Sequence, residues 1–296
     1  MNAISEAFCI RPLRKLRVLA NMIKFEHTIF ALPFALASAV VAASGIPKWS
    51  ILGWIILAMV GARTSAMAFN RIADLEYDRR NPRTSGRELP VGMASMVEAK
   101  ALTLGGAAAL VFAAYRLNPL AFALSPVALL IILAYSCTKR YTAWSHLFLG
   151  LSLGIAPVGA WIGVTGTFAL PPLVLSAAVV LWTAGFDVIY SLEDVDFDRR
   201  EGLFSIPARF GECAALWIAR GLHAVAAVIF VAFGLIVGLG VLFYIGIVVV
   251  AAFLIREHTL VRPGNLSKLN EAFFVMNGYV SVGFLAFTVG SVVWGT

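Results

Sequence analysis

Long apolar runs separated by short polar segments make up most of the chain. An α-helix needs about 20 apolar residues to cross the hydrocarbon core of a bilayer. Runs close to this length cover residues 25–44, 51–73, 96–115, 119–137, 144–165, 170–191, 213–236, 238–255 and 271–294. The pattern predicts an all-α membrane protein, a bundle of nine transmembrane helices around a central cavity.

The composition supports this prediction. Hydrophobic residues make up 60% of the chain and charged residues only 13%, whereas about a quarter of the residues in a soluble domain are charged. No Ser/Pro-rich linker and no change of composition divides the chain. Residues 1–296 are therefore interpreted as a single integral-membrane domain.

The basic residues predict the orientation, because cytoplasmic loops retain Lys and Arg. Nineteen of the 23 basic residues fall in segments on the side of the N-terminus, and only Lys48 and Arg116 fall on the other side. We expect a protein of a bacterial inner membrane with a cytoplasmic N-terminus and its C-terminus on the opposite side. Topology and anionic lipid explain the positive net charge. No nucleic acid is therefore expected as a partner, and no protein partner is implied.

Two acidic motifs interrupt the apolar pattern where hydrophobic runs end. In each motif polar residues recur every four positions, and the two sets are Asn70, Asp74 and Asp78, and Tyr190, Asp194 and Asp198 with Asp187 ahead of them. Residues four apart share one face of a helix, roughly 6 Å from each other. Two carboxylates at that distance repel by on the order of 3 kcal/mol at an effective dielectric near 20. A divalent cation would offset this repulsion.

The two motifs are expected to meet. Asp194 follows Asp74 by 120 residues, and four crossings return the chain to the same face of the membrane. Three longer polar segments, 79–95, 192–212 and 256–270, lie on that face. We interpret them as cytoplasmic loops that cap a cavity opening to the cytoplasm.

Hard oxygen ligands favour Mg²⁺, which commonly takes one or two carboxylates and completes its shell with water and substrate phosphate. An alternative is that the aspartates are solvated interface charges paired with neighbouring arginines. The arginines that follow the motifs directly are Arg79, Arg80, Arg199 and Arg200.

Arg63 lies inside the second apolar run, seven residues before Asn70. A mid-membrane arginine costs about 2.5 to 3.5 kcal/mol on insertion scales, so it requires an anionic partner, either a protein carboxylate or an anionic substrate. Lys139 and Arg140 fall on the side of the acidic motifs and are candidates for binding phosphate oxygens. The four histidines show no metal-ligand spacing and receive no chemical role; they are His27, His146, His223 and His258.

The motifs and the residues around them resemble the UbiA family of intramembrane prenyltransferases. The resemblance rests on Asn70-x-x-x-Asp74-x-x-x-Asp78 with Asn81-Pro82-Arg83-Thr84, on Tyr190-x-x-x-Asp194-x-x-x-Asp198-x-x-x-Gly202-x-x-Ser205, on Lys24-Phe25-Glu26-His27, and on Lys139-Arg140-Tyr141-Thr142. It extends over nearly the whole chain. One departure is Arg71, where many relatives have an acidic residue beside the asparagine.

The resemblance implies that Mg²⁺ is held through the diphosphate of a polyprenyl donor. The residues that would hold metal and diphosphate are Asn70, Asp74, Asp78, Asp194 and Asp198, with Lys139, Arg79 and Arg140 on phosphate oxygens. Tyr190 and Asp187 match positions near the reacting carbon.

The predicted function is therefore the Mg²⁺-dependent transfer of a polyprenyl group to a carboxylated aromatic acceptor of the 4-hydroxybenzoate type, in ubiquinone or menaquinone biosynthesis. The acceptor's carboxylate would explain Arg63. Prenylation of 1,4-dihydroxy-6-naphthoate in the futalosine route to menaquinone is an alternative. A different class is an ion-coupled transporter, which predicts acidic residues near the bilayer midplane and broken helices around them. The position of the acids at span ends favours the enzyme.

Overall fold

The computed structural model describes residues 15–295, without the side chains of 25–27, and within this part the chain is helical with one isolated backbone bridge. The nine longest α-helices are α1 (Leu32–Ala42), α2 (Trp49–Ala73), α3 (Met96–Leu117), α4 (Pro119–Thr138), α5 (Ser145–Thr165), α6 (Leu170–Tyr190), α7 (Glu212–Val237), α8 (Val241–Leu260) and α9 (Asn277–Trp294). Shorter helical pieces connect them: the 3₁₀ turns Phe25–Phe30 and Ser191–Asp194, the α-helices Leu75–Arg80, Val195–Glu201 and Ile206–Phe210, and the π-helix Glu271–Met276.

The predicted all-α membrane fold is confirmed. Among the described residues, eight helices are long and apolar enough to cross a membrane, whereas the first apolar helix, Thr28–Ala42, has fewer than 18 residues. Since 18 residues reach only about 27 Å along a helix, this helix falls short of the ~30 Å hydrocarbon core. The count of nine full spans and the orientation of the bundle stay predictions.

Glycines bring pairs of helices into backbone contact, as is common where helices associate in lipid. A Cβ on Gly106 of α3 would lie 2.6 Å from the backbone nitrogen of Ser65 in α2. A Cβ on Gly150 of α5 would lie 2.3 Å from the carbonyl oxygen of Val180 in α6. These contacts fix how α2 and α6, the two helices that carry the acidic motifs, pack against their neighbours.

Aromatic rings fill the interior between α1, α6, α7 and α9. Phe34 is fully buried, with its ring centroid 5.0 Å from that of Trp182 and 5.0 Å from that of Phe284. It also stacks on Phe230 at 5.7 Å. Since rings packed at such distances contribute beyond their buried area, this cluster anchors α6 in the bundle.

Substitution of Gly150 by alanine tests the close approach of α5 to α6. The added methyl group would overlap the Val180 carbonyl, and overpacking of this kind costs about 1 to 3 kcal/mol. We expect Gly150→Ala to lower the unfolding temperature of the detergent-purified protein. Gly159→Ala on the same helix is the matched control, because nothing lies within 4 Å of a Cβ there. Equal unfolding temperatures for the two variants would contradict the contact.

Candidate functional site

Both acid-bearing helices break at the first aspartate of their motif. α2 ends at Ala73, Asp74 has φ −94° and ψ 8°, and a new helix begins at Leu75. After α6 a 3₁₀ turn leads to Asp194, which has φ −106° and ψ 5° and precedes the next helix. These values fall in the sparsely populated bridge region of backbone space, where many active-site residues lie.

The i, i+4 spacing predicted that each motif lies along one face of a single continuous helix. This prediction is wrong in detail, because both helices are interrupted within the motif. Hydrogen bonds between backbone groups four residues apart are still present around the break. The Asp74 amide donates to the Asn70 carbonyl at 2.9 Å, and the Asp78 amide donates to the Asp74 carbonyl at 2.7 Å. The break occurs where the chain leaves its long apolar helix, and the polar side chains before and after it, Asn70, Asp74 and Asp78, still line one cavity.

The two motifs line one cavity of about 610 Å³, counted with its open mouth. The cavity contains all four motif aspartates together with four basic side chains. Its lining consists of Asn70, Asp74, Tyr77, Asp78, Asn81, Arg83, Thr84, Arg87, Lys139, Arg140, Asp194, Phe197, Asp198 and Leu203. The convergence that the sequence predicted for the acidic motifs is thus found in the structure.

In the first motif each aspartate has a cationic partner. Arg140, just after α4, donates to Asp74 at 3.3 Å and to the carbonyl of Ala73 at 2.6 Å. Asp74 also accepts a bond from the Asn70 amide at 2.8 Å. Asp78, which is 5% exposed, accepts two bonds from one Arg87 nitrogen at 2.7 and 2.9 Å.

The second motif is paired in the same way. Arg83 bridges the Asp194 carboxylate with two of its nitrogens, and Asn81 donates to the same carboxylate at 3.0 Å. The ammonium of Lys139 lies 2.7 Å from Asp198, whose side chain is fully buried. Each of the four carboxylates therefore faces its own cation, and the charges that line the cavity balance.

The alternative pairing with the arginines next in sequence is not what the structure contains. Arg79 pairs with Glu76 at 3.0 Å, and Arg80 pairs with Glu201. Arg199 and Arg200 donate to backbone carbonyls at 3.1 and 3.3 Å. The cavity cations come instead from the segment after the first motif and from the end of α4.

The surroundings of Asp74 disfavour its charged form. Burial, and after it the neighbouring Asp78 carboxylate, raise the pKa of Asp74, while Arg140 and Lys139 oppose the shift. An additional cation near Asp74 would therefore stabilise its charged form.

Carboxylate and amide oxygens are the donors that Mg²⁺ prefers, and the set in this cavity fits that ion. The residues that could hold it are Asn70, Asp74, Asp78, Asp194 and Asp198. Within residues 15–295, no three acidic, histidine or cysteine side chains surround a common metal position, because each motif carboxylate is turned toward a cation. Metal binding would require these carboxylates to change partners.

Four of the predicted site residues lie outside this cavity. Arg79 is directed away from it. Tyr190 lies at its edge, where its hydroxyl accepts a bond from Arg83 at 2.9 Å. Asp187, three residues earlier, is held by His146 at 2.7 Å. Arg63 lines a second cavity.

The second cavity lies between α2, α4 and α5 and is mostly apolar. Its lining consists of Thr28, Ala31, Met59, Ala62, Arg63, Ala66, Ile132, Tyr135, Leu149, Ser152 and Leu153. Arg63 points one nitrogen at the carbonyl of Lys24 at 3.5 Å. Tyr135, which lines this cavity, lies four residues before Lys139, which lines the acidic cavity, so the two cavities are about one helical turn apart along the end of α4.

Two of the three polar segments predicted to be caps are tied together over the acidic cavity. Arg80, after the first motif, forms an ion pair with Glu201, after the second. The amide of Phe204 donates to the carbonyl of Lys139 at 2.8 Å. The third segment joins this cap where the Gly264 amide donates to Glu212 at 3.0 Å. The capping prediction agrees with these contacts, and the side of the membrane on which the cap lies stays a prediction.

Sequence reasoning assigned no role to several residues that line the acidic cavity. The most important are Asn81, Arg83, Thr84 and Arg87. The sequence feature that indicates these residues is their position in a basic segment directly after an acidic motif. Buried carboxylates require counter-charges, and such a segment can supply them. The sequence does not single out His146, because none of the four histidines shows metal-ligand spacing.

The chain was compared with known families and proteins. The UbiA prenyltransferase family matches residues 31–279. The 4-hydroxybenzoate octaprenyltransferase of Alkalilimnicola ehrlichii is 33% identical over 250 residues, 83% of this chain and 84% of that protein. The enzyme of the same name from Vibrio parahaemolyticus is 31% identical over 268 residues, 90% of each chain.

Solved structures share the fold. The apo structure of a UbiA homolog from Aeropyrum pernix K1 has a TM-score of 0.80 and 38% identity, and the match covers 88% of this chain and 96% of that chain. A UbiA homolog from Archaeoglobus fulgidus bound to DMAPP and Mg²⁺ has a TM-score of 0.69 at 17% identity, covering 93% and 99%. With a family match over most of its length, and relatives above 30% identity that cover more than 80% of it, the chain belongs to the UbiA prenyltransferase family and is a membrane-embedded prenyltransferase.

Proposed function

We propose that this protein transfers a polyprenyl group from a polyprenyl diphosphate to a carboxylated aromatic acceptor of the 4-hydroxybenzoate type, with Mg²⁺, in quinone biosynthesis at the bacterial inner membrane. The observation that carries the proposal is the single cavity lined by two aspartate motifs and four cations. The names of the relatives point to 4-hydroxybenzoate. Prenylation of 1,4-dihydroxy-6-naphthoate remains the alternative for the acceptor.

The acidic cavity would bind the donor's diphosphate. Mg²⁺ held by the motif carboxylates would supply positive charge that stabilises the departing diphosphate. The basic side chains that would bind phosphate oxygens are Arg83, Arg87, Lys139 and Arg140. In support, the Archaeoglobus fulgidus homolog carries DMAPP and Mg²⁺ in the same fold.

The chain's own residues would then act in three ways. The cations bind the diphosphate as its allylic C–O bond breaks and it leaves with the bonding electron pair. The cap held by Arg80 and Glu201 keeps water away from the allylic cation, since water would yield the free alcohol. The bundle holds the acceptor so that its ring carbon forms the new C–C bond and then loses a proton.

The second cavity is proposed as the acceptor site. It is apolar except for a few polar groups, which suits an aromatic ring, and Arg63 offers its guanidinium to a carboxylate. Tyr135 lines this cavity and lies four residues before Lys139, which lines the acidic cavity. An acceptor there would meet a donor whose diphosphate lies in the acidic cavity.

The central experiment offers the detergent-purified protein Mg²⁺, a short allylic diphosphate and either 4-hydroxybenzoate or 1,4-dihydroxy-6-naphthoate. Mass spectrometry of the products identifies which ring gains the isoprenoid, and EDTA is expected to abolish the reaction. Asp198→Asn is expected to lose most of the activity, since Asp198 is a buried member of the motif set. Failure to prenylate either ring would overturn the proposed acceptor class, and full activity in EDTA would overturn the metal dependence.

The balanced charges predict that Mg²⁺ and diphosphate bind together. Either ligand alone would separate partly buried ion pairs and leave either the carboxylates or the cations without partners, which is costly. Together, Mg²⁺ offers the carboxylates a new partner and diphosphate offers the cations one. We expect Mg²⁺ with inorganic pyrophosphate to raise the unfolding temperature by more than the sum of the separate shifts. Additive shifts would contradict this coupling.

Two variants locate the coupled binding. Lys139→Met removes a cation from the cavity and, at about 1.5 to 3 kcal/mol for a hydrogen bond to a charged group, is expected to weaken joint binding roughly 10- to 100-fold. Arg79→Gln is the control, because Arg79 pairs with Glu76 outside the cavity. A loss of joint binding in Arg79→Gln would return Arg79 to the set of diphosphate ligands.

Arg63→Leu tests the acceptor site. Loss of a charge-assisted bond of about 1.5 to 3 kcal/mol is expected to raise the KM for 4-hydroxybenzoate roughly 10- to 100-fold, with donor binding unchanged. Phenol, which lacks the carboxylate, is the matched probe, and the variant is expected to treat it as the wild type does. Equal KM values for 4-hydroxybenzoate in wild type and variant would exclude Arg63 as the carboxylate partner.

A further inference from the structure

His146 connects the second aspartate motif to the cap. It lies in the first turn of α5, with 2% of its surface exposed. Its Nδ1 lies 2.7 Å from Oδ2 of Asp187, on α6. Its Nε2 lies 3.3 Å from the backbone amide of Ile206, the first residue of the short helix Ile206–Phe210. One buried ring therefore bridges α6 and the segment that follows the motif.

The backbone determines which nitrogen of this ring carries the proton. An amide N–H can only donate, so Nε2 of His146 accepts the bond from Ile206. The proton of the neutral ring is then on Nδ1, which donates to the Asp187 carboxylate. His146 thus accepts from the backbone through Nε2 and donates to Asp187 through Nδ1.

Helix packing holds the ring at this distance. Gly150 lies one turn after His146 on α5, and it contacts the backbone of Val180 on α6. On the other side, Ser205 caps the helix that begins at Ile206, because its hydroxyl accepts a bond from the Ala208 amide. Both partners of His146 are therefore held by the fold rather than by His146 alone.

Asp187 is linked through His146 to the helix that lines the cavity proposed for the acceptor. His146, which holds Asp187 at 2.7 Å, lies on α5 three residues before Leu149, and Leu149 lines that cavity. The Asp187 side chain is 23% exposed and His146 holds one of its oxygens. The carboxylate can thus take part in chemistry while its orientation is fixed.

We propose that His146 is a positioning residue, which holds the Asp187 carboxylate where it takes the proton that the aromatic acceptor releases. In this step the ring carbon forms a bond to the allylic carbon, the C–O bond to diphosphate breaks, and the ring proton passes to Asp187. The inference rests on the proposed function and assigns a role to a histidine outside the two acidic motifs.

A satisfied histidine of the core would have the same burial and the same two bonds, so the test separates positioning from packing. His146→Gln retains both contacts, since an amide side chain has a donor and an acceptor. His146→Leu keeps an apolar volume but removes both contacts. Unfolding temperature and the joint thermal shift with Mg²⁺ and pyrophosphate are measured for each variant, together with kcat and KM.

His146→Leu is expected to lower kcat about 10²-fold or more, within the range for loss of acid–base assistance. The KM values and the joint thermal shift are expected to stay near those of the wild type. His146→Gln is expected to recover most of the lost kcat. With an acceptor deuterated at the reacting carbon, we expect an isotope effect on kcat that is larger for His146→Leu than for the wild type, because proton loss becomes slow.

A double-mutant cycle keeps the inference testable where the leucine variant is unstable. If His146 acts through Asp187, adding His146→Gln or His146→Leu to Asp187→Asn changes kcat no further. Wild-type kcat in His146→Leu, a glutamine variant as impaired as the leucine variant, or additive losses in the cycle would each overturn the inference. Absence of prenylation by the wild-type protein would instead refute the proposed function, so the two failures are distinguishable.

Discussion

The compensation of four carboxylates, three of them buried, by four cations is the constraint on which the rest of the structure depends. Asp78, Asp194 and Asp198 are each less than 9% exposed, and charges removed from water are tolerated only when they are paired. Every pair is tight enough to satisfy this condition. The bundle can therefore hold a strongly polar cavity at the end of apolar helices.

The pairing also links parts of the chain that are distant in sequence. Arg83 comes from the segment after the first motif and pairs with Asp194 of the second, 111 residues away. Lys139, at the end of α4, pairs with Asp198, and Arg140 beside it pairs with Asp74. These cations therefore hold the two motifs together. If one motif moved, the other would lose cationic partners. We expect any ligand that takes over these partners to rearrange the cap as well, because a cap segment supplies two of the four cations, Arg83 and Arg87.

Hydropathy was sufficient to predict the helices, since a bilayer requires long apolar runs whatever the tertiary structure. The parity of the crossings and the acidic spacing were sufficient to bring Asp74 and Asp194 to one cavity. The breaks at these aspartates could not be predicted, because a helix and a broken helix share the same i, i+4 pattern. The short first helix was also missed, because the predicted span began at residue 25, whereas residues 25–30, which include Glu26 and His27, form a 3₁₀ turn.

Side-chain partners were the least predictable part of the site. The segment after the first motif contains several arginines, and the sequence does not show which of them pairs with which aspartate. The fold of this segment after the helix break places Arg83 and Arg87 against the motif aspartates. Arg79 and Arg80 pair with glutamates instead. His146 illustrates the same limit, because its two partners come from different elements and neither is near it in sequence. The Ile206 amide belongs to a cap segment, so one ring links that segment to Asp187. In the proposed enzyme, the arrangement of the cap over the diphosphate and the orientation of Asp187 are therefore coupled through His146.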